Sequence, residues 1–255
     1  MSVAAPARPI AAARSQPAFI ALLCGLAAIG WWSTGQRMSG MDEGPWTGLG
    51  TLGWFLGVWA VMMAAMMLPS VAPTVGLYAR MTRERSRLLS WVFAAGYLIT
   101  WTLAGALAFG LARAGDLVAS DVLDWDRAGR WVAAATLVVA AAYEVTPLKE
   151  VCLDRCRSPL GFLLGSWRDG FRGALRMGAR HGGWCLGCCW ALMASLFALG
   201  VMSIAWMAVV AGLIAAEKLL PWRRAATYGT AAILLALGLL ILVAPDAVPG
   251  LTIPG

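Results

Sequence analysis

Thirty-six consecutive residues, Gly44 to Ala79, carry no charged side chain. About 20 apolar residues cross the hydrocarbon core of a bilayer, so this one run exceeds what a single span needs. Further uncharged runs cover Ser15 to Gln36, Leu88 to Ala112, Gly182 to Ala216 and Ala225 to Pro245. Another, Trp131 to Leu148, is interrupted by Glu144 alone. Across the 255 residues 60% are apolar and 13% charged, against about a quarter charged in soluble domains. A water-soluble core has no room for this much apolar sequence. The chain therefore reads as all-α, a polytopic membrane helix bundle forming one transmembrane domain over residues 17–245, in contact with the lipid bilayer.

Pro69 and Pro73 are expected to end the second span, leaving Ser70 to Ala79 at the interface. The 35-residue run from Gly182 to Ala216 suits two short spans joined by a turn at Gly200 to Ser203. About seven helices follow, over 17–35, 48–68, 89–112, 131–148, 184–200, 203–219 and 225–244. Tails occupy 1–16 and 246–255. Residues 160–180 alternate apolar side chains with Arg168, Arg172, Arg176 and Arg180, a pattern for one amphipathic helix along the interface. Arg8 and Arg14 precede the first apolar run without a small-x-small cleavage site after it, so that run reads as a retained helix.

Charge orients the bundle. With the N-terminus inside and the C-terminus out, sixteen of the 20 Lys and Arg residues face the cytoplasm and four face outward. The outer loops gather Asp42, Glu43, Asp116, Asp121, Asp124 and Asp126 instead. That asymmetry accounts for the net charge of +7 and places the chain in the cytoplasmic (inner) membrane. No nucleic-acid motif competes with it.

The same topology gathers the soft ligands at the cytoplasmic rim. His181-Gly-Gly-Trp-Cys-Leu-Gly-Cys-Cys-Trp190 holds the single histidine and three of the six cysteines. In a helix Cys185, Cys188 and Cys189 stand at i, i+3 and i+4, along one side. His181 falls one turn earlier, on the helix or in a loop at Gly182 and Gly183. Cys152 and Cys156 share a side if Val151 to Arg157 is helical. Cys185 is expected in a first helical turn, where the dipole and free N–H groups favour thiolate. Sulfurs of the two groups sharing one ion would stand within about 4 Å of each other.

Helix two adds Met62, Met63, Met66 and Met67, and Met193 lies one turn past Cys189. Packing explains membrane methionines well, yet thioethers also select Cu(I) over zinc. Among the acids, Glu144 lies inside a span, where a carboxylate is costly unless paired or functional. It suits pairing with Lys149 or with an arginine, a place behind the ligands, or proton handling. Glu217 reads as an interfacial structural residue.

Several of these segments resemble the DUF2182 family of predicted metal-binding integral membrane proteins. They are Met62 to Ser70, Tyr143-Glu-Val-Thr-Pro-Leu-Lys149, Cys152-Leu-Asp-Arg-Cys-Arg-Ser-Pro159, Ala174 to Gly178, His181 to Met193 and Glu217-Lys218. The likeness covers about Trp59 to Pro221. It implies a metal-binding membrane protein, in some members a copper chaperone. Arg155 stands where the family pattern is expected to carry histidine, which shifts ligation toward the thiols.

The resulting expectation is a non-enzymatic protein that handles, stores or delivers Cu(I), with zinc the alternative ion and a metal-donor or metal-acceptor protein as partner. Its ligands would be Cys152, Cys156, Cys185, Cys188 and Cys189, with His181 auxiliary and the five methionines as a thioether reservoir. No nucleotide-binding motif supports active pumping. Two other readings stay open: a membrane thiol–disulfide oxidoreductase using Cys185-x-x-Cys188, and a zinc-stapled scaffold. With one histidine, haem ranks below both.

Overall fold

The computed structural model describes residues 25, 27–32, 36, 51–86, 88–123, 129–199 and 203–244. Among them every regular element is helical. In chain order these are α1 (Leu52–Met81), α2 (Leu88–Leu123), α3 (Arg130–Glu144), α4 (Pro147–Arg157), α5 (Pro159–Ser166), α6 (Gly170–Leu199), α7 (Ile204–Leu219) and α8 (Arg223–Val243). Residues 27–32 are helical ahead of α1. The rest of the expected first span, both tails and the turn at 200–202 lie outside the described residues.

Four of these helices, α1, α2 over Leu88–Gly115, α6 and α8, are long and apolar enough to cross a membrane. Counting α3 and α4 as one bent span makes five. The expected number was seven. α7 has 16 residues, or about 24 Å, less than the hydrocarbon thickness of about 30 Å.

Boundaries shift for identifiable reasons. α1 begins at a capping residue, Thr51, whose side chain accepts the Trp54 N–H at 3.4 Å. It then continues through Pro69 and Pro73 to Met81 instead of stopping near 68. Each proline deletes one N–H, whereas leaving the helix in apolar surroundings would strand many backbone groups. Beside the first proline, the Ser70 hydroxyl donates to the Met67 carbonyl at 2.9 Å.

The span expected over 131–148 ends at Glu144, and the chain bends by 67° into α4. Pro147 drives this, since the residue before a proline is pushed out of helical conformation. Thr146 is extended (φ −78°, ψ 148°), and its side chain caps α4 by accepting the Lys149 N–H at 3.3 Å. The stretch 160–180, expected as one interfacial helix, is divided between α5, a loop, and the first turns of α6. α6 starts at Gly170, not near 184, because Gly170 takes a left-handed φ of 75° that turns the chain directly into it.

α6 is the hub of the bundle and packs against α2, α3, α4, α5 and α7. Its tightest crossing is with α2, where Ala174, Gly178 and Gly182 form a stripe of small residues. A Cβ on Gly178 would run into the Phe93 carbonyl, and one on Gly96 into the Leu175 carbonyl. Thr100 Oγ1 reaches across to the Ala179 carbonyl at 3.2 Å. On the outside of α2, Leu103, Leu107 and Leu111 are each 66% exposed and form one apolar stripe. Such a face suits lipid, not water.

Filling the crossing tests this packing. Gly178→Ala should destabilise the protein by about 1–3 kcal/mol through overpacking. Gly183→Ala, whose added Cβ meets nothing within 4 Å, should be close to neutral. Thermal unfolding in one detergent compares them, and equal stability would refute the close approach of α2 and α6.

Candidate metal centre

Two helices supply the thiols. α4 carries Cys152 and Cys156 one turn apart, and α6 carries Cys185, Cys188 and Cys189. Gly187 lets the helices close together, because a Cβ there would stand 2.8 Å from Cys152 Sγ. The Tyr143 hydroxyl donates to the Gly187 carbonyl at 2.6 Å, tying α3 to the same turn.

The sulfurs of Cys156, Cys185 and Cys188 all lie within 4.8 Å of one another. Cys156 and Cys188 are 3.7 Å apart, and Cys185 and Cys189 are 4.0 Å apart. Thiolates at about 2.3 Å from a shared ion stand roughly 4 Å from each other, so these spacings suit ligation. All five described cysteines are free thiols. Cys185, Cys188 and Cys189 are buried, and Cys156 is partly exposed. Three soft donors in one small volume match the preference of Cu(I) and also satisfy zinc.

The setting of Cys185 differs from the expected first-turn position. It lies deep within α6, far from the helix N-terminus, so the free N–H groups there do not reach it. Other groups take that role. Lys218 Nζ lies 3.0 Å from Cys185 Sγ, and the Tyr97 hydroxyl also lies 3.0 Å from it. An amine and a hydroxyl on one sulfur are the contacts that would support a thiolate there through charge-assisted hydrogen bonds. Lys218 also donates to Ser70 Oγ at 3.3 Å, which links α7 to α1. Sequence reasoning missed both Tyr97 and Lys218. Lys218 is one of the sixteen basic residues that the charge pattern places on the cytoplasmic side, although its place after a 35-residue uncharged run is a usable signal.

The remaining candidates fall around this group. Cys152 is buried against Gly187, outside the three mutually close sulfurs. Met62, Met63, Met66, Met67 and Met193 are buried in the same core. Met66 and Met67 precede Ser70, the residue that Lys218 touches, by about one helical turn. His181 is not part of the sulfur group. Its ring sits among Phe162, Tyr97 and Phe93, with centroids 4.7, 6.0 and 6.1 Å away, and its Nδ1 has no hydrogen-bond partner.

Behind α4 lies a buried ionic group. Lys149 Nζ donates to Glu144 and, at 2.7 Å, to Glu217 Oε2. All three side chains are almost wholly buried. Of the partners expected for Glu144, Lys149 or an arginine, the structure has Lys149, whereas Glu217 was expected at the interface. Around the same helix Arg157 donates to the Glu217 and Leu220 carbonyls. Arg223 bridges Glu150 at 2.7 Å and Asp154. Charges thus fix α4 to α7 and α8 on one side, while its thiols face α6 on the other.

This arrangement predicts a specific pattern of damage and repair. Lys149→Met leaves two buried carboxylates without a countercharge and should cost about 3–5 kcal/mol. Adding Glu144→Gln and Glu217→Gln should recover most of that loss in thermal unfolding. A triple variant as unstable as the single one would sink the ionic account.

A family model described as PpoB2, copper chaperone, matches residues 56–241. No curated protein and no solved structure matches the chain.

Proposed function

The chain belongs to the PpoB2 copper-chaperone family, and on that premise we propose that it is an integral membrane protein that binds Cu(I) as cargo. The observation that carries this reading is the close grouping of Cys156, Cys185 and Cys188 across two helices. These three thiolates form the primary site. Cys152 and Cys189 flank it as alternate donors, and His181 is an auxiliary donor one turn along α6.

Charge alone does not choose the ion, since Lys218 supports a thiolate site for Cu(I) and for zinc alike. Three thiolates and one Cu(I) carry a charge of −2, and the Lys218 ammonium on Cys185 offsets part of it where water cannot. Through Ser70, Lys218 also brings α1 to the site, so Met62, Met63, Met66 and Met67 lie on the helix that meets it. Met193 adds a fifth thioether on α6. Thioethers discriminate Cu(I) from zinc, which takes N, O and thiolate ligands.

Cys156 is the exchange ligand in this scheme. It is the partly exposed member of the group, so an incoming donor or acceptor thiol reaches it first. Transfer then proceeds by ligand exchange, without covalent catalysis and without a nucleotide-driven step. Lys149, Glu144 and Glu217 act behind the ligands by holding α4 in register. The site faces the cytoplasm of the inner membrane, with the N-terminus in and the C-terminus out, because the arginine-rich segments flank it.

Metal analysis of anaerobically purified protein checks the ligands. The parent should carry Cu(I), and Cys185→Ser with Cys188→Ser should abolish both copper and zinc binding. Met62→Leu with Met66→Leu should weaken copper and leave zinc alone, at a stability cost below about 1.5 kcal/mol. A retained equivalent of zinc, with copper affinity indifferent to the methionine change, would make the protein a zinc-stapled scaffold. Recovery of a Cys185–Cys188 disulfide that turns over with a membrane thiol donor would favour the oxidoreductase reading instead.

Orientation has its own test. Reporter fusions at Arg85 and Arg172 should score as cytoplasmic and one at Asp121 as external. Asp121 and Arg172 on one side would remove the cytoplasmic placement.

A further inference from the structure

At the N-terminal end of α6 an open cavity of about 260 Å³ is lined by Ser166, Arg168, Arg176, Met177 and Arg180. Arg176 and Arg180 stand one turn apart on the helix, and Arg168 comes from the loop after α5. None of these three guanidinium groups has a hydrogen-bond or ion-pair partner among the described residues. Between Ser158 and Gly182 the only acid is Asp169. It is engaged elsewhere, by Arg85 and by the Trp167 indole N–H at 3.2 Å. The hydrogen bond from Arg85, followed by that from Trp167, holds the Asp169 carboxyl below the usual carboxylate range. Asp169 therefore stays ionised and committed to Arg85 at neutral pH, and the cavity keeps three uncompensated positive charges.

The cavity offers donors without acceptors of comparable strength: three planar guanidinium forks and the Ser166 hydroxyl. That chemistry fits an anion bearing several oxygens, a phosphate above all. The surroundings point to its source. Leu164, Phe171 and Leu175 are exposed at 64%, 53% and 38% on the same segment, an apolar surface beside the charges. The uncharged part of α6, residues 182–199, is about 27 Å long and matches the hydrocarbon core. Arg176 and Arg180 then lie at headgroup level, within reach of lipid phosphate.

We propose that this cavity is a binding site for the phosphate headgroup of an anionic phospholipid. The site rests on α6 spanning the bilayer and does not depend on copper. It anchors α6 at the edge of the bundle where the helix leaves the membrane, on the element that carries three of the thiols.

The test uses the full chain in a neutral detergent, titrated separately with short-chain phosphatidylglycerol, short-chain phosphatidylcholine and inorganic phosphate. Native mass spectrometry counts bound molecules, and tryptophan-monitored unfolding reports stabilisation. Phosphatidylglycerol should bind and stabilise, and Arg176→Gln or Arg180→Gln should each weaken it about fivefold. Arg172→Gln, on the same helix but outside the cavity lining, should change it little. These side chains are exposed, so every variant should keep the parental unfolding temperature in detergent alone and its metal content. An Arg172→Gln effect as large as the others would reduce the site to diffuse attraction and overturn the proposal. Equal binding of phosphatidylcholine would overturn it too, as would displacement of the lipid by inorganic phosphate, which would mark a soluble-anion site. Alkaline extraction of membranes tests the spanning reading separately, so the two failures are distinguishable.

Discussion

A fully buried ammonium has to find its countercharge inside the protein, and Lys149 finds two. Its contacts with Glu144 and Glu217 join the end of α3, the start of α4 and the end of α7 at one point. Charges so enclosed are stable only while paired, which makes the three helix ends interdependent. The bend at Thr146 and Pro147 follows from local chemistry, but its direction is set by where Lys149 must point. Once α4 is held this way, Cys152 and Cys156 face α6, and the thiols of the two helices meet. The thiol cluster is in this sense a consequence of an ion pair that stands apart from it.

The same logic recurs at Cys185. Lys218 immediately follows Glu217 in sequence, and the two side chains serve opposite partners: Glu217 meets Lys149, and Lys218 meets Cys185. Two adjacent charged residues at the end of α7 therefore couple the ionic group to the sulfur group. In a medium of low dielectric each contact is stronger than it would be in water, and each unpaired alternative more costly. Partly exposed Cys156 is the complement of this arrangement, a soft donor at the edge of an otherwise closed core.

Helix packing sets the scale on which this happens. Gly96, Gly178 and Gly182 bring α2 within backbone contact of α6, which carries Tyr97 to Cys185. Gly187 leaves room on α6 for the Cys152 side chain of α4. In lipid the hydrophobic effect does not drive helices together, so small residues and a few polar contacts decide which faces meet.

Much of this was legible in the sequence. Uncharged runs longer than a bilayer is thick fix an all-helical chain, because only helices satisfy every backbone group within a single segment. The i, i+3 and i, i+4 spacings fix which thiols share a side, since helical periodicity is local. That Glu144 needs a basic partner was likewise readable, because a carboxylate inside a span is costly unless paired. What lay beyond reach depends on contacts between residues far apart in the chain. Pro69 and Pro73 are tolerated within α1, and Gly170, not the region near 184, starts α6; sequence patterns alone misplaced both boundaries. Glu217 and Lys218 read as rim charges because nothing local shows which way a long side chain turns. Only the packing of α7 against α4 and α6 sends one toward Lys149 and the other toward Cys185. The sequence determined the thiols and the helices that carry them. Tertiary structure decided which charges stand behind those thiols, because a buried charge is placed by its partner and not by its neighbours in the chain.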